Sequence, residues 1–97
     1  MDIKNLKTDQ LEKASQMLKA MAHPIRVSIM HILENDKLNV TQIYEKLDLE
    51  QSVVSHHLGI LRDKGVLNGE RDGKKVYYSL KHKLLSSIIG CVSNCID

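Results

Sequence analysis

QSVVSHHLGIL, residues 51–61, has the composition of a helix with two different faces. Its apolar residues recur at intervals of three and four, which predicts one broad face packed on a core. The opposite face carries polar side chains and no acidic one: Gln51, Ser52, Ser55 and His56. Such side chains donate and accept hydrogen bonds, as a helix that contacts base edges in a major groove must do. On these residues alone, a surface helix with incidental serines is an equal alternative, so the flanking segments have to decide.

Three helices are predicted before this stretch. Asp9 and Glu12 fit a capping box at the start of the first. Pro24 disfavours helical geometry at the residue before it and suits the first position of a second helix, predicted over residues 24–34. Thr41 can cap a short third helix that ends near Leu47. This short helix, a tight turn and the helix that begins at residue 51 together predict a helix-turn-helix.

A β-hairpin is predicted directly after this helix, which is expected to end at Gly65. Val66 begins one strand, Asp72-Gly73 has the composition of a two-residue turn, and residues 76–80 form the return strand. Basic side chains surround the tip of the hairpin: Arg71, Lys74 and Lys75. A basic hairpin after a helix-turn-helix predicts a wing that follows the phosphate backbone or enters the minor groove.

The last predicted helix, residues 82–96, carries apolar residues over too wide a band for one side of a small domain. They fall on two stripes: Leu84, Ile88, Cys91 and Cys95, and Leu85, Ile89, Val92 and Ile96. A wide apolar surface of this kind marks a protein interface. We therefore expect a homodimer in which the last helix packs against a second copy, with the first helix beside it.

Length and charge indicate one small, mildly basic domain. The 97 residues are expected to form a single domain over residues 1–97. The formal charge is +2 overall, but residues 1–50 carry a net −1 and residues 51–97 a net +3. The positive charge thus lies on the half that holds the helix and the hairpin, although a solvated face also explains so small an imbalance.

Composition excludes several classes of protein. The three tyrosines are the only aromatic residues, too few for the stacking platforms of single-strand binders. The sequence has no apolar leader and no long apolar run, so a cytoplasmic protein without a membrane partner is expected. Paired catalytic carboxylates in a motif, a Gly-rich phosphate loop and a nucleophile elbow are all missing, and we expect no enzyme.

Three segments match the motifs of one family. They are LKAMAHPIRVSIMHIL at 18–33, LNVTQIYEKLDLEQSVVSHHLGILRDKGVL at 38–67 and RDGKKVYYSL at 71–80. In this order, over almost the whole chain, they resemble the ArsR/SmtB family of small dimeric bacterial repressors. The resemblance implies a winged helix-turn-helix, mainly α with a small β-hairpin wing and about five helices in the order α-α-α-α-β-β-α. It also implies a homodimer that represses by binding an inverted-repeat operator in double-stranded DNA and releases it when an inducer arrives.

The resemblance assigns roles to individual residues. The base-reading positions fall on Gln51, Ser52, Val54, Ser55 and His56. Val54 shares the apolar spacing of Leu58 and Leu61, but in this assignment it could contact a thymine methyl group instead of filling the core. The candidates for phosphate contacts are Arg62, Lys64, Arg71, Lys74 and Lys75. His57, by contrast, is expected to pack between helices and not to contact DNA.

The two metal sites that the resemblance suggests are not reproduced in this sequence. Asn39 and Thr41 stand at the positions of the arsenic-type Cys-x-Cys pair, and neither side chain binds a soft metalloid. The zinc-type pattern on the last helix falls on His82, a leucine and Cys95, with its fourth position beyond the last residue. That leaves two ligands where four are needed. No cofactor is therefore expected, and the weak metal candidates are His82, Cys91 and Cys95.

Cys91 and Cys95 lie four residues apart, on one face of the last predicted helix. Across a twofold axis they could gather up to four thiols, which suits a soft metal or As(III). The same pair could respond to oxidants or sulfur species by crosslinking the subunits. Packing in the dimer seam is a third explanation. All three stay open, as do a regulator without an inducer site and a winged-helix protein-interaction module that does not bind DNA.

Overall fold

The fold consists of five helices and a three-stranded sheet in the part of the chain that the computed structural model describes, residues 7–96. The elements in chain order are α1 (Thr8–Met21), α2 (Pro24–Ile32), β1 (Leu38–Asn39), α3 (Val40–Leu47), α4 (Gln51–Asp63), β2 (Leu67–Asp72), β3 (Lys75–Leu80) and α5 (Leu84–Ile96). The predicted order of helices and hairpin is confirmed. β1 adds a third, two-residue strand to the hairpin.

The start of α1 differs from the predicted one. Oε1 of Gln10 accepts a hydrogen bond from the backbone N–H of Lys7 at 2.9 Å. This bond satisfies one of the donors that lie at a helix start. The capping box predicted for Asp9 and Glu12 is wrong, because both residues already lie within the helix.

α3 begins with a reciprocal cap. Oδ1 of Asn39 accepts from the backbone N–H of Gln42, and Oε1 of Gln42 accepts from the backbone N–H of Asn39, both at 2.9 Å. Asn39 has the extended backbone that a capping residue needs. Thr41, the predicted cap, lies inside the helix, so that prediction is wrong. Asp48 in the left-handed region ends α3 and leads the chain into the turn before α4.

The wing is the hairpin β2–β3, and β1 pairs with β3, giving the antiparallel order β1-β3-β2. Asp72 pairs with Lys75, so the turn residues are Gly73 and Lys74, one position later than predicted. Gly73 has φ +65, which two-residue hairpin turns require and glycine adopts without strain. As predicted, α4 ends just before Gly65, whose φ is +80.

α4 lies at the centre of the core. Its buried side chains are Val54, His57, Leu58 and Leu61. The cluster around them includes Ile29, Met30, Leu33, Ile43, Val66, Leu67, Leu85 and Ile89. Truncating a fully buried leucine such as Leu61 to alanine would cost about 2–5 kcal/mol. The core therefore fixes which side of α4 faces outward.

α1 and α5 each leave large apolar side chains exposed, and we call these side chains together the α1/α5 apolar surface. They are Leu11 (41% exposed), Leu18 (61%), Leu84 (77%), Ile88 (43%) and Val92 (47%). Of the two stripes predicted on the last helix, one contributes Leu85 and Ile89 to the core, and the other faces outward. The side chain of Ile96 lies outside the described part of the chain. No helix within residues 7–96 is long and apolar enough to cross a membrane.

Candidate nucleic-acid interface

The polar face of α4 is exposed over its first two turns. Gln51, Ser52, Ser55 and His56 are all exposed, because the core holds the opposite side of the helix. The structure thus brings these four predicted base-reading residues together on one surface. Their side chains offer hydroxyl, amide and imidazole groups, which can hydrogen-bond to the edges of base pairs.

Val54 is a correction to the predicted base-reading set. Its side chain is completely buried, at 0% exposure, among the apolar residues of the core. A thymine methyl group could reach it only if the core opened. The helical period explains the error, since Val54 lies on the same face of α4 as Leu58 and Leu61.

A cleft of about 420 Å³ lies beside this polar face, between the start of α3, the middle of α4 and the wing. The residues that line it are Asn39, Val40, Thr41, Ser55, Gly59, Arg62, Lys74, Lys75, Val76 and Tyr78. Three of these side chains are cationic and none is acidic, so we call it the basic cleft. Ser55 belongs both to the cleft and to the polar face, which makes the two surfaces continuous.

The guanidinium of Arg62 lies against the backbone of β2 at Gly69. A Cβ atom at Gly69 would come within 3.1 Å of Cζ and 3.2 Å of Nη1 of Arg62, and within 3.2 Å of Cγ1 of Val76. These distances are shorter than ordinary van der Waals contact. The missing side chain at Gly69 therefore leaves room for the Arg62 charge beside the wing.

The cations of the basic cleft are not neutralised by carboxylates of the described residues. The ion pairs among the described residues are His31–Glu34, Lys37–Glu70 and Lys64–Asp63, and none of them includes a cation that lines the cleft. Arg71 does not line the cleft, but it lies two positions from Gly69 on β2, and residues two apart on a strand share a face. Arg71 therefore extends the positive charge of the cleft along the wing.

Lys64 stands apart from the other predicted phosphate contacts. It lies at the end of α4, 3.9 Å from a carboxylate oxygen of Asp63. It lines a different groove, together with residues of α1 and with His82. The structure does not bring Lys64 to the basic cleft, because α4 turns it to another side from Arg62.

His57 is a buried packing histidine, as predicted, with 7% of its surface exposed. Its Nδ1 accepts a hydrogen bond from Nε of Arg26 at 3.1 Å. Burial lowers the pKa of His57 below its ordinary value of 6.5, and the positive charges of His23, Arg26 and His56 lower the pKa further. The neutral form of the histidine beside the predicted base-reading residues is therefore favoured.

The candidate sensing thiols lie on α5, away from the core. Cys91 and Cys95 are both exposed and both free. His82 precedes α5 and lines the groove that contains Lys64. Among the described residues, no three His, Cys, Asp or Glu side chains are grouped so that they could hold a metal ion. The weak metal candidates are thus not brought together within one chain.

Comparison with known proteins identifies the family. Residues 23–68 match the family described as "Bacterial regulatory protein, arsR family". The chain is 46% identical over 80 residues to the transcriptional repressor PagR of Bacillus anthracis, covering 81% of this chain and 80% of that protein. The chain belongs to the ArsR family. ArsR-family relatives are transcriptional regulators and not enzymes, and this protein is accordingly a winged helix-turn-helix transcriptional regulator.

Solved ArsR-family structures share the fold. The crystal structure of PagR from Bacillus anthracis has a TM-score of 0.80 at 41% identity, covering 89% of this chain and 99% of that one. HlyU from Vibrio cholerae has a TM-score of 0.81 at 30% identity, covering 92% and 97%. A winged helix-turn-helix domain from Mycobacterium bovis, described as homodimeric, has a TM-score of 0.84 at 21% identity, covering 100% and 90%, and supports the fold alone.

Several residues of this candidate interface were not predicted from the sequence. Thr41 and Tyr78 line the basic cleft, and Gly69 makes room for Arg62. A glycine inside a predicted strand often marks a site where another group approaches the backbone closely, so the role of Gly69 could have been predicted from the sequence. The contact between Arg26 and His57 could not, because the two residues are 31 positions apart and neither spacing nor composition links them.

Proposed function

We propose that this ArsR-family protein is a homodimeric repressor that binds an inverted-repeat operator in double-stranded DNA, in the cytoplasm of a bacterium. The observation that carries the proposal is the continuity of the exposed polar face of α4 with the basic cleft. One surface offers hydrogen-bonding groups for base edges, and the adjoining surface offers cations for phosphates. That combination is what sequence-specific DNA binding requires.

The arrangement of the elements supports a docking geometry. A major groove is wide enough for one helix, and α4 is the helix whose exposed side is polar. With the N-terminal half of α4 in the groove, the start of α3 and the wing lie on either side of the basic cleft. Arg62, Lys74 and Lys75 then face the backbone, and Ser55 lies between backbone and bases.

Homodimer formation is supported by the α1/α5 apolar surface. Leu84 is 77% exposed and Leu18 is 61% exposed, which is a large apolar area to leave in water. A twofold dimer would cover it with the same surface of a second copy. The homodimeric description of the similar Mycobacterium bovis domain is in line with this arrangement. A dimer would present two copies of α4 to the two halves of an inverted repeat.

We further propose that an inducer, if the repressor has one, acts through Cys91 and Cys95. Both thiols are exposed in a single chain, on α5 beside the α1/α5 apolar surface, so a chemical change at the thiols would affect the proposed dimer. A soft metal or metalloid and a thiol oxidant or sulfur species are the two candidate signals. Packing of the thiols in a dimer seam is the competing explanation.

The thiol proposal is tested with reduced protein and a Cys91→Ser/Cys95→Ser double variant. Each protein is first challenged with Zn(II), As(III), peroxide or a persulfide donor. Its affinity is then measured for a duplex that the wild-type protein has selected from a random library. We expect one challenge to weaken binding by the wild-type protein and to leave the variant unchanged. If no challenge separates the two proteins, the cysteines are packing residues and the sensing proposal fails.

The DNA-binding proposal is tested through the salt dependence of affinity for a duplex. Replacing Lys74 and Lys75 with glutamine removes four cations from a dimer. Each lost phosphate contact lowers the slope of log affinity against log salt by about 0.9, so a decrease of about 3–4 is expected. A Lys13→Gln/Lys19→Gln variant removes the same charge from α1 and is the matched control.

Two results would contradict this assignment. An unchanged slope after loss of both wing lysines would remove the wing from the interface. Equal slopes for the wing variant and the α1 control would mean that net charge alone matters. If the wild-type protein binds no duplex at low salt, a winged-helix protein-interaction module becomes the better description.

A further inference from the structure

His57 is buried on α4 and does not belong to the exposed face that is proposed to read DNA. Among the described residues, the buried polar side chains are Asn39 and His57. Asn39 caps α3, which accounts for its burial. His57 lies on the inner side of α4, where the helix meets the junction of α1 and α2. Buried polar side chains are nearly always hydrogen-bonded, so the hydrogen-bond partner of His57 indicates its role.

One arginine ties His57 to two other helices. Nε of Arg26, on α2, donates a hydrogen bond to Nδ1 of His57 at 3.1 Å. Nη1 of the same guanidinium donates to the backbone carbonyl of Ala20, in the last turn of α1, at 3.2 Å. Carbonyls in a last helical turn lack partners within the helix. Arg26 therefore connects the end of α1 and the start of α2 to the middle of α4.

This hydrogen bond defines the protonation state of His57. Because Nδ1 accepts from Arg26, it carries no proton, and the neutral ring must hold its proton on Nε2. A proton taken from solvent at Nδ1 would remove the acceptor. It would also place an imidazolium and a guanidinium at hydrogen-bond distance, partly shielded from water, where like charges repel.

The other groups around His57 are also cationic or neutral. The ring of His23, from the turn between α1 and α2, lies with its centroid 4.6 Å from that of His57. The ring of His56, its neighbour on α4, lies 5.3 Å away. With Arg26 of α2, these are the charged or titratable groups that lower the pKa of His57, and no carboxylate is among them to stabilise a second proton.

We propose that Arg26 and His57 are positioning residues for α4, and that protonation of His57 breaks their contact and weakens sequence-specific DNA binding. The proposal rests on the proposed function, because the orientation of α4 matters only if α4 reads DNA. His57 directly follows the base-reading residues Ser55 and His56, so a shift of the helix at His57 displaces both. Arg26 keeps its charge throughout and loses only its acceptor.

The proposal is tested by measuring the affinity for two duplexes between pH 7.5 and pH 5. One duplex is recovered by selection with the wild-type protein, and the other is scrambled with the same composition. The quantity compared is the ratio of the two affinities, and a comparison with a variant that lacks only His57 keeps the base-reading residue His56 the same in both proteins. Circular dichroism at each pH confirms that the protein remains folded.

Four proteins are compared, so that the roles of His57 and Arg26 are tested separately. His57→Asn keeps an acceptor close to the position of Nδ1 and does not titrate. Arg26→Met keeps the length of the side chain and removes its donors. Lys19→Met is the matched control, since Lys19 lines the same groove as Arg26 and loses the same charge. The wild-type protein completes the set.

We expect the wild-type affinity ratio to fall as the pH is lowered, by up to about tenfold per pH unit for each His57 that titrates, and so by up to about a hundredfold for the two copies in a dimer. His57→Asn should keep the ratio seen at pH 7.5 and lose most of the pH dependence. Arg26→Met should have a low ratio at every pH, whereas Lys19→Met should behave as the wild type.

Three results would overturn the proposal. They are a wild-type ratio that does not change with pH, a His57→Asn profile equal to that of the wild type, and an Arg26→Met ratio equal to that of Lys19→Met. Failure of the proposed function gives a different result, because selection with the wild-type protein would then recover no preferred duplex.

Discussion

Base selection in the proposed interface depends on short side chains held by a buried helix. Ser55 and His56 are exposed, while Val54 before them and His57 after them are buried. Because the core fixes both buried neighbours, it also fixes where the two exposed side chains stand. The sequence predicted the exposed pair correctly as a polar face, and its helical spacing also put Val54 with Leu58 and Leu61 on the apolar face. The structure therefore corrects only the base-reading role that the family resemblance gave to Val54.

Replacing Ser55 or His56 with alanine is expected to weaken binding to a selected duplex by about 1–3 kcal/mol and to relax base preference at one position. Fluorescence anisotropy with a set of single-base variants of the duplex measures both effects. Ser87→Ala, at an exposed position of α5, is the control for a lost hydroxyl. An equal loss of affinity for a scrambled duplex would show that these side chains do not read bases.

Gly69→Ala is expected to weaken binding of any duplex with little change in melting temperature. The added Cβ atom meets the far end of the Arg62 side chain at 3.1 Å, and that end can move away from the cleft. The measurement is a double-mutant cycle with Arg62→Ala. If Gly69 acts by placing Arg62, the double variant binds no more weakly than Arg62→Ala alone, whereas additive losses would contradict the account.

At the scale of elements, α4 and the wing were predictable, whereas the predicted caps of α1 and α3 were wrong. The helical period, Gly65 and the basic hairpin are all local features, so the sequence carried them. Asn39 caps α3 in place of Thr41, because Asn39 and Gln42 each accept from the backbone N–H of the other. Asn39 also ends β1, which pairs with β3 almost forty residues later. The link from Arg26 to His57 is likewise formed between distant segments, so only the folded chain displays it.

The packing of α2 on α4 is expected to make the stability of the fold depend on pH. The pKa of His57 is lowered in the folded chain, so the unfolded chain binds a proton at a higher pH. The contribution of neutral His57 is therefore complete above its ordinary pKa of 6.5 and is lost as the pH falls from there towards the lowered value. Urea unfolding at pH 7.5 and pH 5.5 measures the change in the free energy of unfolding.

The control for this pH dependence is His57→Asn, which removes the titrating group and leaves the other histidines in place. The wild-type protein should lose more stability than the variant between pH 7.5 and pH 5.5. Equal losses for both proteins would show that a different group titrates, and that burial of His57 is not linked to folding.

At the scale of the whole molecule, the α1/α5 apolar surface is the feature that a single chain leaves exposed to water. Leu85 and Ile89 turn into the core, while Leu84 and Ile88 on the same helix face water. The sequence predicted an excess of apolar residues on the last helix, but only the fold shows which of them one chain buries. The proposed dimer covers the rest and sets the spacing of the two reading helices.

A Leu84→Glu/Ile88→Glu variant is expected to be monomeric and to bind a selected duplex weakly. Each glutamate would place a charge in the proposed interface, where burying it without a partner is costly. Light scattering after size exclusion measures the mass, and anisotropy measures the affinity. Ser87→Glu, exposed on the same helix, is the control and should remain dimeric. A dimeric double variant would show that the subunits meet elsewhere.

In the proposed dimer, two copies of α4 read one symmetric DNA site. Selection of duplexes from a random library by the purified protein, repeated with Ser55→Ala, tests this arrangement directly. We expect enrichment of an inverted repeat whose half-site centres lie about 10–10.5 base pairs apart, or a multiple of that distance. The Ser55→Ala variant should show an altered base preference. No enrichment, or one asymmetric site that is identical for both proteins, would rule out symmetric reading by α4.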